Sequence, residues 1–333
     1  MPVLEESDYR PPRWLRGGHA QTVFPALFRR LPEPVREQLR IDTPDKDFFE
    51  LDIVRAAACA HAPCGPGRPA SDTAVIVSHG LEGHARRAYM RGMCLAFAST
   101  GWDSVCRNMR SCGRQMNKGP GMYHSGQTDD IHSTVRYCLD VGYRRLFLVG
   151  FSMGGNQTLK YLGEEPERVP PELAGAAVFS VPCHLPGAAG ELDKPRNRMY
   201  MWYFMRSLRQ KVRAKHAVYP ELYPLEGLEG IRSFAEFDNR YTAPVHGFAS
   251  AGDYWEKASA LPFLGRIRVP VLLVNARNDP FLSPQCSPVS IAADSDTLFL
   301  EQPEQGGHVG FTPAGGGDLY WSEKRALEFF HGL

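Results

Sequence analysis

Short apolar, β-branched runs alternate along this chain with stretches whose apolar residues recur at helical spacing, a pattern that predicts a mostly parallel sheet with helices on both faces. After an N-terminal arm, Phe48 to Arg55 reads as an early strand. Thr73 to Ser78 is a continuous apolar run of the kind buried on both faces, and Trp102 to Met109 is the next strand. Tyr89 to Ser99 has helical periodicity, and Thr128 to Val141 repeats it with Ile131, Val135, Tyr137 and Leu139. Arg145 to Val149 and Ala176 to Val181 are further strands. The alternation then stops from Pro182 to Arg268, resumes at Val269 to Asn275 and Thr297 to Glu301, and closes with a helix at Leu319 to Phe330. An interruption of that length predicts a helical cap insertion, residues 182–268, on a core formed by residues 1–181 and 269–333, with 1–47 as N-terminal arm and early strand. Cys59 to Ser71, rich in Pro, Gly and Ala, reads as a loop between early strands.

The run Arg145 to Val149 leads into Gly150-Phe151-Ser152-Met153-Gly154, and Gly155 to Leu162 after it reads as a helix. A G-x-S-x-G turn between strand and helix is a nucleophile elbow: its glycines leave out side chains that would clash in a sharp bend, and the bend presents the Ser hydroxyl. The five letters alone are weak; their placement makes the motif informative. A Ser hydroxyl is a poor nucleophile near neutral pH, so it needs a His to take its proton and a carboxylate to orient that His, in the chain order Ser, Asp or Glu, His. Asp279 lies just beyond the strand Val269 to Asn275, on the edge where ligands meet open α/β sheets, although Asp279-Pro280 is also ordinary turn chemistry. Asp253 is the second candidate acid but falls in the insertion. Of eleven histidines, only His308 lies after the acid and before the final helix, flanked by glycines in Gly306-Gly307-His308-Val309-Gly310.

Acyl transfer also needs backbone donors aimed at a tetrahedral oxyanion. One is expected from the amide of Met153; the other from His79-Gly80-Leu81-Glu82-Gly83, with Leu81 preferred and Gly80 the alternative. His79 is expected to order that loop. Met199 to Met205 is apolar nearly all round, as in a buried helix that either lines an acyl pocket or simply packs. Cys59-x-His61-x-x-Cys64 offers three metal ligands where structural zinc sites use four, so no metal and no cofactor is expected.

Composition narrows the rest. The chain has 333 residues, 43% hydrophobic and 23% charged, with 38 basic against 37 acidic residues for a net charge of +1, and that balance gives no broad field for nucleic acid or an anionic membrane. No stretch approaches a membrane span, and Met1 to Asp8 lacks the features of a signal peptide, so a cytoplasmic protein without a stable membrane anchor is expected. The eight cysteines show no dense spacing; they read as reduced thiols, with Cys94, Cys106 and Cys138 in the core.

With those residues in place, the sequence resembles the YheT-like branch of the α/β-hydrolase superfamily. The similarity runs along nearly the whole chain: Trp14-Leu15-Arg16-Gly17-Gly18-His19-Ala20-Gln21-Thr22 in the arm, His79 to Gly83, Gly101-Trp102, Asn108-Met109-Arg110, Tyr123 to Asp129, Gly150 to Asn156 with Leu159 to Gly163, Phe237-Asp238, Thr242-Ala243-Pro244, Gly247-Phe248, Asn278-Asp279-Pro280 and Gly306 to Phe311. The resemblance implies an α/β-hydrolase fold and a triad of Ser152, Asp279 and His308 acting on carboxylic esters or acyl lipids. It departs at Arg110-Ser111-Cys112-Gly113, where relatives more often carry Arg-Gly-Cys, and in lacking the membrane anchor of the eukaryotic members. Three functions are weighed: a serine esterase for short- to medium-chain acyl esters, a lipid-acyl hydrolase or acyltransferase, and a non-catalytic ligand-binding protein on the same fold. Ser at the elbow argues against dehalogenase or epoxide hydrolase chemistry, which uses Asp there.

Overall fold

The computed structural model describes residues 3–4, 6–56 and 69–333. Its strands are β1 (Val3–Leu4), β2 (Glu37–Asp42), β3 (Phe48–Val54), β4 (Thr73–Ser78), β5 (Asp103–Asn108), β6 (Arg145–Phe151), β7 (Leu173–Phe179), β8 (Val271–Val274) and β9 (Leu298–Glu301). They form one sheet in the order β1-β9-β8-β7-β6-β4-β5-β3-β2. β2 and β3, and β3 and β5, pair antiparallel; every other pair is parallel. This is the α/β-hydrolase fold, with helices on both faces of a mostly parallel sheet.

Alternation along the buried strands feeds two cores. Ile76, Leu148, Val178 and Leu273 point to one face, where the helices Asp129–Asp140 and Met153–Glu164 supply Ile131, Val135 and Leu159. Val77, Val149, Phe179 and Val274 point to the other, against Met93 and Phe97 of Ala88–Ser99 and Phe330 of Trp321–His331. The expected strands and flanking helices are present with ends shifted by one to three residues. β7 begins earlier, at Leu173, and the helix after the elbow begins at Met153.

Within residues 1–47, β1 and the helix Gly18–Phe28 were not anticipated, and the early strand expected there, without bounds, is β2. The helix lacks an acidic first turn and carries Pro25 inside, which hides it from propensity arguments. Between β7 and β8 lie the helices Leu185–Leu192, Arg198–His216, Phe234–Phe237, Ala243–His246 and Ala251–Ala258. They share a small apolar cluster of their own around Met205, Leu208, Phe234 and Tyr241, closed by Met122 from the core.

Ser111 adopts φ 64°; its hydroxyl donates to Asn117 Oδ1, an anchor a glycine would lack. Cys59, His61 and Cys64 lie outside the described residues. Cys94, Cys106, Cys138, Cys183 and Cys286 are buried free thiols.

A sharp steric demand sits at Gly154, two residues beyond Ser152. A Cβ there would lie 2.4 Å from the carbonyl oxygen of His79 and 2.5 Å from that of Ser78, both main-chain atoms that cannot move without opening the sheet edge. Gly154→Ala is therefore expected to destabilise the protein by about 1–3 kcal/mol, the usual cost of overpacking. A denaturant titration with an unchanged midpoint would contradict this.

Candidate active site

Strand register brings four chain segments to one place. Ser78 of β4 pairs with Gly150 of β6, Phe151 with Phe179 of β7, Phe179 with Val274 of β8, and Val274 with Glu301 of β9. The loops that follow β4, β6, β8 and β9 therefore emerge at the same carboxyl edge of the sheet.

At the end of β6 the chain reverses sharply. Ser152 adopts φ 53° and ψ −121°, its N–H donates to the Phe179 carbonyl at 2.9 Å, and its own carbonyl accepts from Gly155 and Asn156 as the helix starts. Such a conformation costs a non-glycine residue about 1–3 kcal/mol and persists only where the surroundings impose it. They do so here because the helix start is pressed against the β4 loop through Gly154, leaving Ser152 at the helix N-terminus with its hydroxyl outward.

His308 Nε2 lies 2.9 Å from Ser152 Oγ, and Nδ1 lies 2.8 and 3.1 Å from the two oxygens of Asp279. With the ring proton on Nδ1, His308 donates to the carboxylate and Nε2 accepts from the Ser hydroxyl. Asp279 is further fixed by accepting from the Phe281 N–H at 2.9 Å, and its side chain is fully buried. Phe281 covers the imidazole with ring centroids 4.2 Å apart. Asp253, the second candidate acid, is elsewhere: it sits in the first turn of Ala251–Ala258, paired with Lys257 at 2.6 Å.

The loop after β4 separates its amides by what they bond. Gly80 N–H donates to Tyr89 Oη and Glu82 N–H to Tyr123 Oη, both at 3.1 Å, and Gly83 N–H to the Gly80 carbonyl at 3.0 Å. The Leu81 and Met153 amides have no acceptor among the described residues, and both residues line the same cavity as Ser152. Of the two candidates in this loop, Leu81 thus has an amide without an acceptor among the described residues, whereas that of Gly80 is taken. His79 is completely buried, with Nδ1 donating to the Gly80 carbonyl at 2.7 Å and Nε2 accepting from the Met109 N–H at 3.1 Å. Only a neutral ring can do both, and burial lowers its pKa to about 3. Glu82, also buried, anchors the far side of the loop by accepting from Lys211 Nζ at 2.7 Å and from the Ser207 hydroxyl, both on the helix Arg198–His216.

Sequence reasoning assigned no role to the residues that hold the His308 loop. Gln21 is completely buried; its Oε1 accepts from Gly306 N–H at 2.8 Å and Asn278 Nδ2 at 2.9 Å. Asn278 Oδ1 accepts from Gly307 N–H, Thr22 Oγ1 from His308 N–H, and Ser180 Oγ from Val309 N–H, all at 2.8–2.9 Å. Four successive amides are thus held by four side chains from three places in the chain. The signal for them was the similarity over Trp14 to Thr22 and at Asn278.

Two cavities meet at Ser152 and His308. The inner one, about 910 Å³, lies toward the helices that follow β7 and is lined by apolar side chains including Leu208, Phe234 and Trp255. Its one acidic lining residue is Asp238, which accepts from Thr242 Oγ1 at 2.6 Å and Trp255 Nε1 at 2.8 Å and whose pKa burial raises to about 6. The outer one, about 1590 Å³, runs between the helices Gly18–Phe28 and Arg198–His216. Met199 to Met205 is not a buried helix: Tyr200, Met201 and Met205 are buried, whereas Met199, Trp202 and Tyr203 face outward along this groove. The longer helix around them carries six Lys or Arg residues, which gives it a solvated side. Among the described residues no group of three or more His, Cys, Asp or Glu side chains is placed to hold a metal ion.

The family described as alpha/beta hydrolase fold matches residues 73–313, and the chain belongs to that family. Within it the chain falls in the YheT-like branch: it is 33% identical over 96% of its length to "Putative esterase YheT" of Escherichia coli (strain K12), covering 92% of that protein. It is 28% identical to mouse Phospholipase ABHD3 over 93% of this chain and 74% of the relative, and 29% identical to the Monoacylglycerol lipase of Saccharomyces cerevisiae over 77% and 59%. Among solved structures, the Pyrococcus furiosus esterase Pf2001 superposes with a TM-score of 0.58 at 16% identity, covering 90% of this chain and 91% of that one. That likeness speaks to the fold alone.

Two expectations follow. An unfolded His takes up a proton near 6.5, but folded His79 does so only near 3, so protonation pulls the chain toward unfolding. Its contribution to stability is whole above pH 6.5 and declines as pH falls toward 3; the half-buried His124 and His246, whose pKa values desolvation also lowers, act with the same sign. The denaturation midpoint should fall across that window, and less steeply in His79→Gln; parallel slopes for the two proteins would refute the assignment. Second, Gln21→Ala should slow labelling of Ser152 by a fluorophosphonate about 10- to 100-fold, because a shift of about 1 Å in a reacting group costs that order. Labelling at the wild-type rate would show that Gln21 does not position His308.

Proposed function

We propose that this protein is a serine hydrolase of carboxylic esters, taking short- to medium-chain acyl groups through an acyl-enzyme. The observation that carries the reading is the continuous contact from Asp279 through His308 to Ser152 Oγ, with 2.8 Å and 2.9 Å at its two joints. In the first step Ser152 Oγ attacks the acyl carbonyl carbon while His308 Nε2 takes the hydroxyl proton, and the unoccupied amides of Leu81 and Met153 stabilise the oxyanion. The tetrahedral intermediate collapses, His308 passes the proton to the departing alkoxide, and an acyl-Ser152 ester and an alcohol result. Water then attacks that ester with His308 again as base, releasing the carboxylic acid. Asp279 holds the ring tautomer and stabilises the imidazolium that forms in each half. The helices of residues 182–268 serve as the cap that encloses the acyl group, with 1–181 and 269–333 as the core.

Homologues named esterase, lipase and phospholipase support hydrolase chemistry. A second reading, lipid-acyl hydrolysis or acyl transfer, is favoured by the outer groove, whose lining from Leu27, Met199 and Trp202 suits a long acyl chain. A series of p-nitrophenyl esters separates the two: a kcat/KM maximum at short or medium chains supports the first, and a rise continuing to long chains supports the second.

Ser152→Ala is expected to lower ester hydrolysis by at least about 10³-fold and to shift Tm by no more than about 2 °C. A fluorophosphonate should modify folded wild type at Ser152 and leave the variant untouched. Absence of an adduct on wild type would replace this reading with a binding protein on a hydrolase fold.

A further inference from the structure

The mouth of the outer groove departs from an ordinary soluble surface. Trp14, Leu27, Phe28, Met199, Trp202 and Tyr203 are each 46–66% exposed. Leu27, Met199, Trp202 and Tyr203 line the groove itself, and Phe28 continues the patch through ring contacts with Phe24, at 5.2 Å, and of Phe24 with Trp14, at 4.8 Å. Contiguous exposed apolar surface of this kind marks an interaction site rather than chance exposure.

Charge around the patch has a single sign. From Arg10 to Leu31 the chain holds arginines at 10, 13, 16, 29 and 30 and no acidic residue; the helix Arg198–His216 holds six Lys or Arg and no acidic residue. Some of these cations are engaged, Arg29 with Glu323 and Lys211 with Glu82. Arg13, Arg16, Arg30, Arg198 and Arg206 are exposed and have no carboxylate partner among the described residues. The net charge of +1 conceals this asymmetry, because the balancing carboxylates lie elsewhere.

We propose that this face adsorbs to an anionic lipid surface, with the aromatic and aliphatic side chains entering the headgroup boundary and the unpaired arginines meeting lipid phosphates, so that the outer groove opens onto the membrane. Tryptophan and tyrosine beside arginine are the side chains that settle at such a boundary. A protein partner would also meet apolar surface, but the groove behind this patch leads to Ser152 and His308, a path that a lipid acyl chain can use. No helix among the described residues is long and apolar enough to cross a membrane, so the contact is peripheral. Delivery of an acyl chain to Ser152 rests on the proposed function; adsorption does not.

The test is sedimentation of the full chain with vesicles of phosphatidylcholine alone and of phosphatidylcholine with about one third phosphatidylglycerol. Wild type should partition to the anionic vesicles preferentially, and added salt should weaken the partition. Arg198→Glu with Arg206→Glu should lower it more than about tenfold, and Trp14→Glu with Phe28→Glu should lower it on both vesicle types. Hydrolysis of a soluble short-chain ester, measured on the same preparations, should stay at the wild-type rate and shows that the variants are folded. Wild type that favours neither vesicle, or variants that bind as wild type does, would overturn the proposal. Normal vesicle binding without ester hydrolysis or fluorophosphonate labelling would leave the adsorbing face standing and remove the reading of Ser152 as nucleophile.

Discussion

The site depends first on the backbone at Ser152, held in a left-handed conformation that an L-residue does not choose by itself. What holds it is packing of the following helix onto the loop after β4, a contact so close that Gly154 has no room for a methyl group. Loosening that contact would let the turn relax, move Oγ away from Nε2 and swing the Met153 amide out of line with that of Leu81. Stability of the sheet edge and geometry of the candidate site are therefore one constraint. The same crowding explains why glycine also precedes the turn: a Cβ on Gly150 would lie 2.6 Å from the Gly155 Cα.

A second dependence runs across the whole length of the chain. His308 sits on a loop with strained backbone, since Val309 and Phe311 have positive φ values, and such a loop needs external restraint. The restraint comes from the N-terminal arm, where Gln21 and Thr22 accept from the amides of Gly306 and His308 across nearly three hundred residues. A Cβ on Gly310 or Gly18 would collide with the Gln21 or Asn278 carbonyl, so arm, acid loop and His loop interlock through their main chains. The arm is thus part of the site's support, and also forms one wall of the outer groove.

Much of this was legible in local sequence. Continuous apolar runs at β4, β6 and β8, too short for helices and rich in β-branched or aromatic residues, read as strands buried on both faces, and the glycine pattern around Ser152 gains its steric meaning when it joins such a strand to a helix. Asp279 and His308 follow from order and from lying just past strand ends. The arm was not legible: β2 alternates half-buried and exposed residues without strong β propensity, and the helix Gly18–Phe28 carries an internal proline. Nor could apolarity tell which side of Met199 to Met205 is buried. Both sides are apolar, and the outward one owes its exposure to the groove beside it.

Sequence by itself determined the order of strands along the chain, the turn at Ser152 and the placement of Ser152, Asp279 and His308 just past strand ends, because each rests on local sterics or on short-range periodicity. Tertiary structure alone decided which amides remain free at the β4 loop, which partners keep His79 neutral, and that Gln21, Thr22, Asn278 and Ser180 hold the His308 loop. Each of those depends on hydrogen-bond partners from distant segments, and a pairing between residues 21 and 306 leaves no periodic trace in either segment.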